Sequence, residues 1–205
     1  MRSDIVNVTS SGDGTEEALR AAYDSASYRG LDKKKALHLR LLAEEMLGMV
    51  RQITGETEAE FWVESKGTSY ELHLVAYPIV TGSMRKELLK VSSSGKNEAA
   101  KGFMGKLRDI FDRALVSDDM GGLSDYYAHG IVMPGEIADP VTYAVSSNMV
   151  TWSMQKYKAS IEEAQDAAAK EEWDELEKSI VASIADEVRI SITGSKVEMT
   201  VYKKF

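Results

Sequence analysis

The feature that most constrains this fold is a long amphipathic helix followed directly by two alternating strands, all within residues 38–77. In the helical part, apolar residues recur at steps of three and four positions, which is typical of a helix with one buried face. These residues are Leu39, Leu42, Ala43, Met46, Val50 and Ile53. Asp32 is predicted to open this helix and Gly55 to close it. A helix with a single apolar stripe must bury that stripe, so we expect it to pack against a sheet.

Two hairpins are predicted from residues that alternate between apolar and polar, the period of a half-buried strand. The first hairpin has Phe61 and Val63 on one strand, turns at Gly67, and continues into the run 70–76. The second hairpin, VRISIT-GSK-VEMTVYK, lies at the C-terminal end of the sequence and turns at Gly194. We expect both hairpins to share one sheet beneath the helix of residues 39–53.

The other predicted elements complete the pattern. They are a strand over residues 5–9, a helix that Thr15 caps and Gly30 ends, helices at 84–89 and 99–115, and one or two acidic helices between 157 and 184 with a break near Lys170. Hairpins without βαβ units predict the α+β class, with a mixed, mainly antiparallel sheet covered on one face by helices. A length of 205 residues favours a single domain, 1–205, and residues 117–154 are predicted to form an irregular insertion within it.

Composition excludes several classes of function. A net charge of -8 weighs against a nucleic-acid partner, and the small cluster Arg85, Lys86 and Lys90 does not reverse that balance. The chain contains no cysteine, which excludes disulfides, thiolate metal sites and a cysteine nucleophile. No apolar run has the length of a signal peptide or a membrane span, so we expect no membrane association and a cytoplasmic location.

The order of these elements resembles that of the GHKL (Bergerat-fold) ATPase family, which includes histidine kinases and the bacterial anti-sigma-factor kinases. In LLAEEMLGMV, the family's glutamate corresponds to Glu44, with Glu45 beside it, and the family's magnesium-binding asparagine corresponds to Gly48. The adenine-binding aspartate of the family falls near Ala76. The resemblance implies a GHKL ATPase-like sandwich, with ATP and magnesium as cofactors and a role in bacterial regulation.

The nucleotide motifs of that family are degenerate in this sequence. Gly48 has no side chain to coordinate magnesium, Ala76 offers a methyl group where adenine needs a carboxylate, and no Asp-x-Gly-x-Gly motif follows. Gly102 and Gly105 of GFMGKL match the phosphate loop, although two glycines are equally typical of an ordinary loop-to-helix junction. A glycine in mid-helix costs about 1 kcal/mol relative to alanine, so Gly48 suggests close packing or the close approach of a ligand.

These observations leave two functions open, and no cofactor is assigned. The first is a non-catalytic or weakly nucleotide-binding regulatory protein that acts through a protein partner, for which the acidic helices favour a basic partner. The second is a divergent ATPase or protein kinase in which Glu44, or Glu45 beside it, is the general base that activates water. A fold unrelated to that family is the third interpretation, and the sequence does not determine the oligomeric state.

The remaining polar residues predict no further site. His38, His73 and His129 lack the spacing of metal ligands. Asp118 and Asp119 lack the alternating oxygen ligands of a calcium loop. Gly95-Lys96 lacks the preceding glycine and the following hydroxyl of a P-loop. The sequence therefore contains no enzyme signature and no predicted metal site.

Overall fold

The computed structural model describes residues 1–54, 58–77, 131–132, 149–164, 179–193 and 196–205. Within these residues, the strands are β1 (Val6–Thr9), β2 (Glu58–Lys66), β3 (Ser69–Ala76), β4 (Ile131–Val132), β5 (Met149–Ser153), β6 (Glu187–Thr193) and β7 (Lys196–Lys204). The helices are α1 (Thr15–Tyr28), α2 (Lys33–Thr54), α3 (Met154–Ala164) and α4 (Ile180–Ile184). This content confirms the α+β class.

The described strands form one seven-stranded sheet in the order β1-β2-β3-β7-β6-β5-β4. Every described pair of neighbouring strands is antiparallel. The two predicted hairpins share this sheet because β3 pairs with β7 along its whole length, from Ser69 opposite Lys204 to Ala76 opposite Val197. The prediction that both hairpins lie in one sheet is confirmed.

One face of the sheet is apolar across six of its seven described strands. Residues directly opposite each other in neighbouring strands lie on the same face. One such row crosses six strands, and its residues are Val6, Phe61, Leu74, Met199, Ile190 and Trp152. All six are buried. Helix α2 packs against β3 and β7, while α1 packs against β1 and β2, and the two helices pack against each other. The core therefore lies between this face and the α1–α2 pair.

Helix α2 begins as predicted. The backbone amide of Lys35 donates a hydrogen bond of 2.9 Å to Oδ1 of Asp32, and the Lys35 ammonium lies 3.4 Å from the same carboxylate. The hydrogen bond from the Lys35 backbone amide is the main cause of a lowered pKa of Asp32, and the Lys35 ammonium adds to it, because both favour the charged carboxylate. Asp32 is therefore the N-terminal cap of α2.

The prediction that Thr15 caps α1 is wrong. The N-terminal cap is Gly14, which has a left-handed backbone with φ of 74° and provides no side-chain hydrogen bond. A Cβ atom at this position would collide with the backbone carbonyl oxygen of Asn7. Glycine is required here because the β1–α1 turn brings two backbone segments into contact.

The prediction of an irregular insertion at residues 117–154 missed two strands in the part that the structure describes. Ile131–Val132 and Met149–Ser153 are strands β4 and β5, which extend the main sheet beyond β6. Trp152 pairs with Ile190 and is buried, so this segment contributes to the core. The rest of 117–154 and the predicted helices 84–89 and 99–115 lie outside the described residues, and the single domain stays a prediction.

Helix α3 follows β5 without a loop, and its start is fixed by β6. The side chain of Ser153 accepts a hydrogen bond of 3.3 Å from the Lys156 amide and donates one of 2.8 Å to Glu187. Glu187 also accepts a bond of 3.3 Å from the Gln155 amide. A buried carboxylate at the beginning of the helix thus satisfies amides that have no partner within it. None of the helices that the structure describes is long and apolar enough to cross a membrane.

Candidate functional site

The two acids that resemble the family's catalytic position lie on α2, outside its buried stripe. Glu44 is exposed and Glu45 is half-buried. In the described part of the chain, Glu44 forms no hydrogen bond and no ion pair. The structure therefore places Glu44 on the helix surface, where it has no hydrogen-bonded or ion-paired partner among the described residues.

Gly48 lies one turn after Glu44 on α2 and is half-buried. Among the described residues, a Cβ atom built on Gly48 would meet no atom within 4 Å. These residues therefore do not pack closely on the glycine, and the close approach of a ligand stays a prediction. The space beside Gly48 is large enough for a methyl group, and the absence of a side chain has no steric explanation in the structure.

Ala76 lies at the end of β3 and belongs to the hydrophobic core. It is 0% exposed and its direct partners across the sheet are Ala59 and Val197, both buried. A carboxylate at this position would be surrounded by apolar side chains. The next residue, Tyr77, is exposed. Ala76 is thus a core residue of the described structure, and its assignment to a nucleotide pocket stays a prediction.

The remaining positions of the resemblance, Gly102 and Gly105, lie outside the described residues, as do His129, Asp118 and Asp119. In the residues that are described, no group of three or more histidine, aspartate or glutamate side chains is close enough to hold a metal ion. Among the described residues, the candidate positions therefore provide two carboxylates, Glu44 and Glu45, at adjacent positions of one helix.

A polar and aromatic cluster occupies the opposite face of the sheet and was not predicted. The rings of Trp62 and His73 stack with centroids 4.8 Å apart and planes 7° apart. The Arg2 guanidinium lies 4.6 Å from the centroid of the Trp62 ring, and the indole Nε1 donates a hydrogen bond of 3.1 Å to Glu64. The signal was present in the sequence, because Trp62 and His73 both alternate with the apolar residues of their strands. The cluster attaches the N-terminal segment to β2.

Burial lowers the pKa of the His73 imidazole, although the carboxylates of Glu64, Glu71 and Glu198 act in the opposite direction. Nδ1 lies 3.4 Å from the hydroxyl of Thr200, while the buried Nε2 has no hydrogen-bond partner among the described residues. Nε2 lies 3.6 Å from the Glu71 carboxylate, which is beyond hydrogen-bond distance. The stacked rings and the contacts of Trp62 with Arg2 and Glu64 are typical of a structural cluster.

A second unpredicted feature is a concentration of exposed cations at one end of the sheet. At this end the α1–α2 loop, the β2–β3 turn and the end of β7 come together. Arg29 Nη2 donates to the Ser65 carbonyl at 3.3 Å, and the Phe205 amide donates to the Thr68 carbonyl at 3.0 Å. We call this end of the sheet the basic end. Its exposed cations lie on two different faces: Arg29, Lys33 and Lys34 are on the side of the helices, whereas Lys66 and Lys204 alternate with the buried residues of their strands and lie on the opposite face.

Three acids near the basic end are paired with other cations, whereas Glu71, opposite Glu64 on β3, lies 3.6 Å from the His73 imidazole. The carboxylates of Asp32, Glu64 and Asp186 lie 3.4, 3.8 and 3.0 Å from Lys35, Arg2 and Lys203 respectively. Within the described part of the chain, by contrast, the side chains of Lys33, Lys34 and Lys66 form no ion pair. The basic end therefore has a local excess of positive charge in a chain whose net charge is -8.

Comparison with known proteins gives no assignment to set beside this geometry, since no family model, no curated protein and no solved structure matches the chain.

Proposed function

We propose that this chain is a non-catalytic regulatory protein that acts by binding a protein partner in the cytoplasm, on an α+β fold related to that of the GHKL ATPases. The burial of Ala76 carries the proposal. A nucleotide site of that family needs a carboxylate for the adenine amino group, and an adenine left unpaired in a closed site costs about 1–3 kcal/mol. A buried methyl group at Ala76 supplies no acceptor, and Gly48 supplies no oxygen for magnesium.

The alternative function, an ATPase or kinase with Glu44 as its base, has less support. A general base works within hydrogen-bond reach of the proton that it removes, in a site that also holds the reacting atoms. Glu44 is exposed and has no polar partner in the described residues. Glu45, the other candidate, is the next residue of the same helix and so faces a different direction.

Thermal unfolding in ATP and magnesium tests this proposal. A ligand present at 100 times its dissociation constant adds about 2.7 kcal/mol to the free energy of unfolding. For a chain of this size, that gain would raise Tm by about 5–10 °C. We expect no rise in Tm relative to a control with inorganic phosphate and magnesium at equal ionic strength.

A saturable rise in Tm with ATP would overturn the claim that the site is inactive. Glu44→Gln would then separate binding from catalysis. Loss of phosphate release with ATP binding retained would assign the chain to the ATPase alternative.

A further inference from the structure

We propose that the outward side of α2 pairs with the same side of a second copy of this chain, as two antiparallel helices. The inference is independent of the proposed function, which concerns a different protein as partner. It is carried by the residues of α2 that face away from the sheet. We call them the outer face of α2, and they are Lys34, Leu37, Leu41, Glu44 and Gly48.

Helix α2 has a second apolar line on its outer face. The buried stripe of the helix, which includes Leu42, packs on the sheet. The outer-face residues lie on the other side of the helix axis, because each residue turns the helix by about 100°. There Leu37 is 45% exposed and Leu41 is half-buried. One exposed leucine is ordinary on a protein surface, so the arrangement of the whole face decides what it can bind.

The spacing of the outer face suits a second helix. From Lys34 to Gly48, its residues follow one another at steps of three, four, three and four positions. These are the steps between the a and d positions through which two helices interlock their side chains in a coiled coil. The two leucines occupy the middle of the face. Gly48 provides no side chain that would hold a second helix away, and its Cβ would meet no described atom within 4 Å.

The charges of the outer face select a copy of α2 in the antiparallel orientation. Lys34 lies three residues before Leu37, and Glu44 lies three residues after Leu41. Two antiparallel helices that place Leu37 of each copy opposite Leu41 of the other therefore also place Lys34 opposite Glu44, twice. A parallel pair would instead place like charges together, and like charges repel.

Both charged residues are available for this contact. In the described part of the chain, neither Lys34 nor Glu44 forms an ion pair through its side chain. Both are exposed. The outer face is thus complementary to itself, which an interface with two-fold symmetry requires.

The small size of the outer face implies a weak pair. From Lys34 to Gly48 the helix is about 21 Å long. A contact through one such helix in each copy belongs to the small, transient class of interfaces, which bury less than about 1,200 Å² in total. We expect a dissociation constant on the order of 100 μM. At low micromolar concentration the chain is then a monomer, so that Leu37 contributes to association and not to the stability of the monomer.

Sedimentation equilibrium of the full chain, from about 10 μM to about 1 mM, tests the pair with two charge reversals. Lys34→Glu and Glu44→Lys each place like charges opposite each other at both ends of the pair. A mixture of the two variants restores both contacts between opposite charges. Both variants should fold, because an acid suits the first turn of a helix and Glu44 is exposed.

We expect the wild type to dimerise and each variant alone to associate at least about tenfold more weakly. The equimolar mixture should form a heterodimer at least as tight as the wild-type dimer. The control variants, Lys66→Glu and Glu60→Lys, make the same changes in net charge on the sheet face opposite the helices. Each control should associate within about threefold of the wild type at about 0.1 M salt, and mixing the two controls should not strengthen association.

A wild type that stays monomeric at about 1 mM would overturn the inference. A dimer that neither Lys34→Glu nor Glu44→Lys weakens would also overturn it, because the interface would then lie elsewhere on the chain. The same holds if the mixture of these two variants forms no heterodimer, since the opposed contacts of Lys34 with Glu44 would then not exist.

Discussion

Leu42 and Leu37 provide a matched test of how α2 packs, because they are identical side chains on one helix and differ in burial. Leu42 is 0% exposed and belongs to the core, whereas Leu37 is 45% exposed. Replacement of either leucine by alanine changes the intrinsic helix propensity by the same small amount. The difference between the two variants therefore measures burial.

The expected loss in the free energy of unfolding for Leu42→Ala follows from the burial of Leu42. Alanine lacks three carbon atoms of leucine, and each buried carbon group contributes about 0.8 kcal/mol, so the transfer term alone is about 2.4 kcal/mol. The cavity left behind increases the cost, and buried Leu→Ala changes typically lose about 2–5 kcal/mol. Leu37→Ala should change the free energy of unfolding by no more than about 0.5 kcal/mol.

Equilibrium unfolding in urea, followed by circular dichroism, measures both changes. The dependence of the free energy on urea must be equal in the two variants for the comparison to hold. Leu74→Ala on β3, where the leucine is 1% exposed, should lose about as much as Leu42→Ala because it lies in the same core. Equal losses in Leu42→Ala and Leu37→Ala would refute the packing of α2 on the sheet.

Four other changes test single features of the structure. Gly48→Ala should raise the free energy of unfolding by about 1 kcal/mol, because the helix gains propensity and the added methyl group has space; lower thermal stability would contradict this. Tyr70→Phe should be neutral or stabilising by about 1–3 kcal/mol, because the buried Tyr70 hydroxyl has no hydrogen-bond partner; a clear loss in urea would show that a partner exists. Ala76→Asp should lose more than about 3 kcal/mol by placing an unpaired charge in the core, and a near-neutral urea midpoint would argue against that burial. The pKa of His73 is lower in the folded chain than its ordinary value of 6.5. Between the two pKa values, the unfolded chain therefore binds more protons than the folded chain. The contribution of His73 to the free energy of unfolding is complete above pH 6.5 and is lost as the pH falls through the folded pKa. The free energy of unfolding, measured by urea titration across this pH range, should lose that dependence on pH in His73→Gln and keep it in His38→Gln. An unchanged dependence on pH in His73→Gln would be inconsistent with the lowered pKa.

The parts of the fold that depend on local patterns were predictable from sequence. The helical repeat around Leu42 and the alternation around Phe61 and Leu74 are set by residues a few positions apart, and each confines burial to one face. The shared sheet followed because two hairpins and one amphipathic helix bury most apolar surface together.

The errors in the fold come from contacts between distant segments. Gly14 rather than Thr15 caps α1 because the Asn7 carbonyl approaches from β1, which no local pattern reveals. The strand Met149–Ser153 is too short for clear alternation, and its identity depends on pairing with β6, far along the chain. Short strands of this kind are recognised only once their partner is known.

The candidate sites were harder to predict for the same reason. Alignment with a family can place Ala76 at a ligand position, but whether that position faces a ligand or the core depends on how β3 is covered. The run Lys33–Lys35 is visible in the sequence, but that Lys66 and Lys204 lie at the same end of the sheet follows only from strand pairing. The acidic net charge conceals this concentration of cations further, because an average over the chain contains no information on where the charges lie.

Mapping backbone amide chemical shifts by NMR tests the central claim most directly, because it locates a bound nucleotide residue by residue. The central claim is that the degenerate nucleotide positions do not bind ATP. Titration with ATP and magnesium should leave the amides of residues 44–48 and 74–77 unchanged. Saturable shifts at these residues on addition of ATP would contradict the claim.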